Sequence, residues 1–225
     1  DYNKGNLFKY LIITINMKKR LYKNFLKKII FGVAILLLFL VILKFDINIE
    51  RAIEGLRNFW LDYFFSGIIW ISRMPVVLFF LILIFLWKKS KRGWIIPIGS
   101  SIFLGSVLSF LIKIIVRRPR PFEQGIIPVL NTAFYFIKDN FNTWNFSFPS
   151  GDAVFVFCLL PIIWKEFKEL RYIWLIFACL VGFSRIYSGV HYMSDVFAGA
   201  LIGYLTGLLI IKIEEKYKIG EKLID

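Results

Sequence analysis

Long runs of uncharged, apolar residues constrain the fold of this chain more than any other feature of its sequence. The predicted runs cover residues 29–43, 75–87, 94–116, 151–164, 172–187 and 195–213, and the second borrows residues upstream. A helix needs about 20 apolar residues to cross the hydrocarbon core of a bilayer. Of the 225 residues, 58% are hydrophobic, which exceeds the share usual in soluble domains. These runs predict an all-α, polytopic integral membrane protein with a bundle of six transmembrane helices.

The segment 46–72 separates the first two runs and mixes charged with aromatic residues. Its charged residues fall mainly on one side of a helix, and they alternate with the aromatic residues Trp60, Tyr63, Phe64, Phe65 and Trp70. That combination is typical of a helix that lies in the membrane interface with an aromatic belt. The entrance to the second span is the alternative. We expect an interfacial helix here, within a single membrane-embedded domain over residues 1–225.

Lys and Arg residues are distributed unevenly between the loops. Of the 29, 19 lie in segment 1–28, in the loops 88–92 and 165–171, and in the C-terminal tail from Lys212. Such residues favour the cytoplasmic side. We therefore expect cytoplasmic termini in the cytoplasmic (inner) membrane, with a basic tail over 1–28, and an extracytoplasmic (periplasmic) loop over 117–149. This arrangement explains the net charge of +14 without a nucleic-acid partner.

The beginning of the chain has two interpretations. Because residue 1 is Asp, Met17 is a candidate native start, and residues 1–16 are then a non-native or upstream extension. A basic segment before an apolar run also resembles a signal peptide, but no small-residue cleavage site follows it. We expect an uncleaved first span.

Histidine and cysteine are scarce in this sequence. Cys158 and Cys179 both lie inside apolar runs, which predicts two small, buried, unpaired side chains. One histidine and two buried cysteines cannot form an ordinary zinc site. We therefore expect neither a metal nor another cofactor.

The stretch 184–195 carries the only histidine, His191, between two apolar runs. Arg185 can hold an anionic oxygen through its planar fork of donors. His191 can act as a nucleophile or carry a proton, and Asp195, four residues later, can orient its ring. The structural alternative is an interhelical His–Asp pair without a reaction.

Two further polar clusters lie at the predicted outer ends of spans. Lys113 and Arg120 end the third span, where cations also suit a helix dipole and lipid headgroups. Ser150, Gly151 and Asp152 begin the fourth, which is an ordinary helix start but also an anion site. With the 184–195 stretch, they supply the groups that phosphate binding and phosphoryl transfer require.

Small residues recur every four positions in two spans. Ser101, Gly105 and Ser109 do so in the third, and Gly199, Gly203 and Gly207 do so in the sixth. Such faces allow close helix packing, and for the three glycines of the sixth span we expect packing and not chemistry.

Three motifs follow one another in this chain: Lys-x6-Arg-Pro, then Pro-Ser-Gly, then Ser-Arg-x5-His-x3-Asp. Their order resembles the signature of the type 2 phosphatidic acid phosphatase superfamily. The relatives of that superfamily include vanadium haloperoxidases and glucose-6-phosphatase. The match runs from Lys113 to Asp195. The resemblance implies a metal-independent membrane phosphatase. It further implies that Lys113, Arg120 and Arg185 bind the phosphate oxygens, with hydrogen bonds from Ser150 and Gly151. His191 is then the nucleophile that becomes a phosphohistidine, and Asp195 orients it.

One position departs from the family pattern. The family usually has a histidine after Pro-Ser-Gly, as the acid that protonates the leaving oxygen, whereas this chain has Asp152. An exposed aspartate is ionised at neutral pH, because its ordinary pKa is about 4. Either Asp152 is a catalytic acid with a raised pKa, or the leaving group needs less help. The second option favours a lipid sugar-1-phosphate or a polyprenyl diphosphate over phosphatidic acid.

The predicted substrate is therefore a phosphorylated membrane lipid. Lipid A 1-phosphate ranks first, if the source has an outer membrane, followed by phosphatidylglycerophosphate and undecaprenyl diphosphate. The aromatic-rich segments 46–72 and 133–148 are predicted to line the acyl-chain entrance. The alternatives are a phosphotransferase, and a non-catalytic lipid-phosphate binder or transporter in which Asp152 marks lost catalysis.

Overall fold

The computed structural model describes residues 2–128, 130 and 146–220, with side chains from Tyr22 onward except at 86, 87 and 89. The chain divides into two compact units, residues 1–42 and 43–225. In the first unit, residues 2–42 are helical and form the first part of α1, Tyr2–Glu54. The single domain expected over 1–225 stays a prediction.

The second unit is helical throughout its regular structure in the described residues. After the end of α1 come α2 (Phe59–Ile71), α3 (Met74–Trp87), a 3-10 helix (Lys89–Trp94) and α4 (Ile95–Val116). Three helices follow the 117–149 loop: α5 (Gly151–Glu166), α6 (Arg171–Tyr187) and α7 (Met193–Tyr217). The all-α prediction is confirmed for the described part of the chain.

Three helical stretches of the described chain are long and apolar enough to cross a membrane, namely Tyr22–Glu54, Ser90–Val116 and Met193–Tyr217. Helices α2 and α3 pass the same test as a pair, with a bend of 61° between them. Helices α5 and α6 have 16 and 17 residues, fewer than the roughly 20 that a perpendicular span needs. The protein is thus an integral membrane protein, and its described residues contain three candidate spans, or four if the bent pair counts as one. The predicted count of six spans stays a prediction.

The interfacial helix expected over 46–72 is not a single element. Residues 46–54 continue α1, and the helix break comes at Gly55–Asn58, where the Asn58 side chain accepts a hydrogen bond from Leu61 N and caps α2. Asp46 and Glu50 are 2% and 0% exposed. Two of the acidic residues of this segment therefore lie inside the protein, whereas Arg51 and Glu54 are exposed.

Helix α5 is the centre of the second unit, because its side chains are buried from Ala153 to Ile163 almost without interruption. A Cβ added to Gly199, Gly203 or Gly207 of α7 would overlap backbone atoms of α5. On another side, a Cβ at Gly105 of α4 would lie 3.0 Å from Val154 Cγ1. Gly105 of α4 and the three glycines of α7 are therefore confirmed as positions of close helix packing.

The two cysteines differ in environment. Cys158 on α5 is buried, as expected, and its thiol lies 3.1 Å from the Phe155 carbonyl oxygen. Cys179 on α6 is exposed, so the expectation of burial is wrong for it. A helix with one face outside the protein core places apolar residues there when that face meets lipid.

Candidate active site

A cavity of about 340 Å³ opens where α4 ends and α5 begins. Five of the eight predicted site residues line it: Lys113, Arg120, Gly151, Asp152 and His191. Its other lining residues are Met74, Ser106, Ser109, Phe110 and Phe155. The apolar lining thus comes from α3, α4 and α5 and not from the 46–72 segment, while most of segment 133–148 lies outside the described residues.

His191 lies between α6 and α7 with 3% of its surface exposed. Its Nδ1 is 3.7 Å from Asp195 Oδ2 and 3.5 Å from Ser147 Oγ. Asp195 is fully buried, and its Oδ2 accepts hydrogen bonds from Tyr192 N, at 2.9 Å, and from Ser147 Oγ. Because Nδ1 faces this carboxylate, Nε2 is the ring nitrogen left for chemistry.

The His191 imidazole is neutral at ordinary pH. Burial lowers its pKa from 6.5 to about 4, and the positive charges of Arg120 and Lys113 add to that effect, while Asp195 opposes it. A neutral imidazole keeps the lone pair that a nucleophile needs. The group gains a proton only as the pH falls through about 4.

We expect one clear signature of this lowered pKa. Protein labelled with ¹⁵N-histidine contains one imidazole, since His191 is the only histidine, and its nitrogen resonances should titrate near pH 4 and not near 6.5. Orthovanadate should raise the midpoint, because a bound anion favours the charged ring. Denatured protein is the control and should titrate near 6.5. A midpoint of 6.5 or higher in the folded, ligand-free protein would contradict this expectation.

Three cations surround the cavity, each held by the protein. Lys113 Nζ donates to the Phe146 carbonyl oxygen, and Arg120 Nη1 donates to the Val190 carbonyl oxygen at 2.9 Å. Burial lowers the pKa of Arg120 to about 10, so its guanidinium stays charged at neutral pH. Arg185 is buried, and its Nη2 is 3.1 Å from Asp152 Oδ1 and 3.2 Å from Ser72 Oγ. Asp152, with a side chain 40% exposed, thus links Arg185 to the cavity.

Of the two phosphate-binding residues predicted at the start of α5, only Gly151 lies in the cavity wall. Gly151 lines the cavity, but Ser150 is fully buried, and its Oγ accepts from Ala153 N at 3.5 Å as the N-cap of the helix. Ser150 N donates to the Asp195 carbonyl oxygen at 3.0 Å. The Ser150 side chain therefore caps α5 and is not part of the cavity wall.

Two buried polar atoms beside the cavity have no hydrogen-bond partner among the described residues, Ser109 Oγ and Arg185 Nε. Ser109 lines the cavity itself, and Arg185 contacts the lining residue Asp152. Unsatisfied buried polar groups are rare in proteins and need a partner. An anion with several oxygens would supply one to each.

Sequence reasoning missed four residues of this centre: Asp46, Ser109, Arg118 and Ser147. Arg118 lies in the same basic cluster as Arg120, and Asp46 is an acid directly after an apolar run, so each carried a signal that went unused. Ser109 was predicted only as a packing residue. Ser147 has no distinguishing pattern around it.

In the described residues, a helical membrane protein brings a buried histidine and two cations to one cavity, a combination that fits the class of integral membrane phosphatases. The family model of the PAP2 superfamily matches residues 94–218, more than half of the chain, and the protein belongs to that superfamily.

Several characterised proteins are similar over most of their length. The chain is 28% identical over 190 residues to phosphatidylglycerophosphatase B of Bacillus subtilis, which covers 77% of this chain and 85% of that protein. It is 29% identical over 183 residues to lipid A 4'-phosphatase of Bacteroides thetaiotaomicron, covering 76% and 77%. Among solved structures, LpxE of Aquifex aeolicus has a TM-score of 0.60 and 30% identity over 74% of this chain and 94% of that chain.

Proposed function

We propose that this protein hydrolyses the phosphate of a membrane lipid through a phosphohistidine at His191. One observation carries the proposal: His191, with Nδ1 facing Asp195, lines the same cavity as Lys113 and Arg120. The unpartnered Ser109 Oγ and Arg185 Nε add two polar groups for the phosphate. Lipid-phosphate substrates are also named for the relatives described above.

The proposed reaction has two steps. His191 Nε2 attacks phosphorus, an N–P bond forms, and the P–O bond to the lipid breaks while the lipid oxygen takes a proton from solvent. Water then attacks phosphorus, the N–P bond breaks, one proton of that water returns to solvent, and inorganic phosphate leaves with His191 neutral again. Lys113, Arg120 and Arg185 stabilise the charge on the phosphoryl oxygens, and Asp195 stabilises the positive charge that develops on the imidazole.

The proposed architecture has six membrane crossings. The pair α2–α3 acts as one broken span, and the shorter helices α5 and α6 cross within the bundle. The termini are then cytoplasmic, and the cavity faces the extracytoplasmic side. In a background without Cys158 and Cys179, a cysteine at Lys138 should react with an impermeant reagent from outside the cell, and a cysteine at Lys168 should not. The reverse labelling pattern would refute this orientation.

The Asp152–Arg185 ion pair bears on the choice of substrate. Asp152 Oδ1 is the acceptor in its contact with Arg185 Nη2 at 3.1 Å, and we propose that Asp152 pairs with this guanidinium instead of donating a proton to the leaving oxygen. The reaction then depends on a leaving group that departs readily. We propose lipid A 1-phosphate as the substrate, with phosphatidylglycerophosphate and undecaprenyl diphosphate as the alternatives.

Phosphate release from these three lipids in detergent tests the ranking. We expect the fastest turnover with lipid A 1-phosphate, and equal, slow turnover of all three would refute the ranking. Rapid acid-free quenching should trap a phosphohistidine during the first turnover. If the protein binds the lipids but neither forms the intermediate nor releases phosphate, it is a binder. Phosphate passed to a second lipid instead of water would identify a phosphotransferase.

Variants of Asp152 test its part in the reaction. Asp152→Asn should keep kcat for lipid A 1-phosphate within about threefold, because an ionised residue gives no acid help to lose. Asp152→His should raise turnover of phosphatidylglycerophosphate roughly 10-fold or more, because its primary alkoxide gains an acid. The measurement is kcat/KM for both lipids with each variant. A loss above about 100-fold in Asp152→Asn, with activity kept in Asp152→His, would instead assign Asp152 the acid role.

A further inference from the structure

A buried chain of charged groups connects α1 to the aspartate beside His191. Arg118 lies at its centre, with Nη1 donating to Asp195 Oδ1 and Nη2 donating to Asp46 Oδ2, both at 2.8 Å. Asp46 is 2% exposed and Asp195 0%. One guanidinium thus bridges two buried carboxylates, a task that suits its rigid fork of donors.

Ser194 closes this chain into a ring of hydrogen bonds. Its Oγ accepts from Arg118 Nη1 at 2.7 Å and donates to Asp46 Oδ2, and its backbone N donates to Asp46 Oδ1 at 2.9 Å. Both oxygens of Asp46 are therefore used to fix the first turn of α7. The ring of Tyr192 packs against the guanidinium of Arg118, 3.8 Å from its central carbon. Arg118 is held from three directions.

The consequence for His191 follows from the two oxygens of Asp195. Oδ2 faces His191 Nδ1, while Oδ1 is fixed by Arg118. Tyr192 N and Ser147 Oγ also hold Oδ2, and the contact from Arg118 to Oδ1 completes the set of donors that fixes how the carboxylate faces the ring. Arg118 is kept in place in turn by Asp46. Neither Arg118 nor Asp46 is among the residues that line the cavity.

We propose that Asp46 and Arg118 are positioning residues for phosphoryl transfer: they orient Asp195 and, through it, the imidazole of His191. The proposal rests on the proposed function for its kinetic consequences, but not for the orientation of the ring. Asp46 lies outside residues 94–218, which the family model matches. Helix α1 therefore contributes a positioning residue to the catalytic centre from a part of the chain that the family model does not match.

The variant Asp46→Asn tests the proposal. An amide cannot accept from Arg118 with the strength of a carboxylate, so Arg118 is held less firmly and fixes Asp195 Oδ1 less well, while Tyr192 N and Ser147 Oγ still hold Oδ2. We expect kcat and the rate of phosphohistidine formation to fall roughly 10- to 100-fold, as when other supporting residues of a reactive group are removed, with KM within about twofold. The matched control is Asp62→Asn on α2, which accepts a hydrogen bond from Tyr187 OH and should change neither quantity.

The ¹⁵N signals of His191 give a readout that does not depend on turnover. In the free protein, Asp46→Asn should shift the imidazole resonances, and Asp62→Asn should leave them in place. Wild-type resonances and wild-type kcat in Asp46→Asn would overturn the proposal, as would a raised KM with unchanged kcat. If wild type itself forms no phosphohistidine, the proposed function fails, and the NMR comparison still decides the positioning role.

Two milder variants cover the case in which Asp46→Asn does not fold. Ser194→Ala removes one hydroxyl, and Arg118→Lys keeps the charge but not the fork. Both should lower kcat, Arg118→Lys more strongly, and both should shift the His191 resonances without raising KM. Full kcat in a folded Arg118→Lys protein would overturn the proposal.

Discussion

Replacing His191 by glutamine is expected to reduce phosphate release by at least about 10⁴-fold, the scale seen when a nucleophile is removed from a catalytic unit. Glutamine fills much of the same space but cannot form the N–P bond. Rapid-quench trapping with ³²P-labelled lipid should give an alkali-stable, acid-labile phosphoenzyme in wild type and none in the variant. Because the chain has a single histidine, the assignment of that label needs no peptide mapping.

Binding provides the control for this experiment. Lys113 and Arg120 remain in His191→Gln, so orthovanadate should still protect the variant against thermal unfolding, although less than it protects wild type. Loss of both binding and turnover would indicate a collapsed cavity and not a missing nucleophile. Retention of more than about a tenth of the wild-type rate would refute the phosphohistidine mechanism.

Replacing Gly203 by alanine is expected to destabilise the protein by about 3 kcal/mol, near the upper end for an overpacked core. The added Cβ would overlap the carbonyl oxygen of Val154 and lie 2.9 Å from Cys158 N. Both atoms belong to the backbone of α5, so relief requires α5 and α7 to separate. The expected fall in Tm is on the order of 10 °C, measured by a thermal melt in detergent.

The matched substitution Gly99→Ala lies on a helix with nothing within 4 Å of the new Cβ. It should leave Tm unchanged or raise it slightly, since alanine favours helix over glycine by up to about 1 kcal/mol. Equal melting temperatures for Gly203→Ala and wild type would show that α5 and α7 are not in close contact.

Local sequence patterns predicted much of the site. The predicted helix ends selected Lys113, Arg120 and Gly151, and the stretch with the only histidine selected His191, while the family resemblance supplied their roles. The structure brings all four to one cavity. For segment 46–72 the sequence left two positions open, because a charge beside an apolar run suggests a membrane interface unless its partner is known. Asp46 has partners, Arg118 and Ser194, but they lie more than 70 residues away in the chain.

Ser150 and Asp152 show the same limit at closer range. A serine before a helix can cap it or bind an anion, and local sequence permits both. In the structure, Ser150 Oγ accepts a hydrogen bond from Ala153 N and caps the helix. For Asp152, the sequence left two alternatives open: a catalytic acid, or a residue without an acid role. The structure pairs it with Arg185, and that pairing depends on how α5 and α6 pack.

The sequence by itself determined that this protein is helical, lies in a membrane and carries the phosphatase motifs, because apolar length, helix-end residues and motif spacing are local properties of the chain. Only the tertiary structure decided which buried charges meet: Asp46 with Arg118, Arg118 with Asp195, and Asp152 with Arg185. The physical reason is desolvation. A buried charge is tolerated only beside a partner, and the partners here come from helices that are distant in sequence and adjacent only after folding.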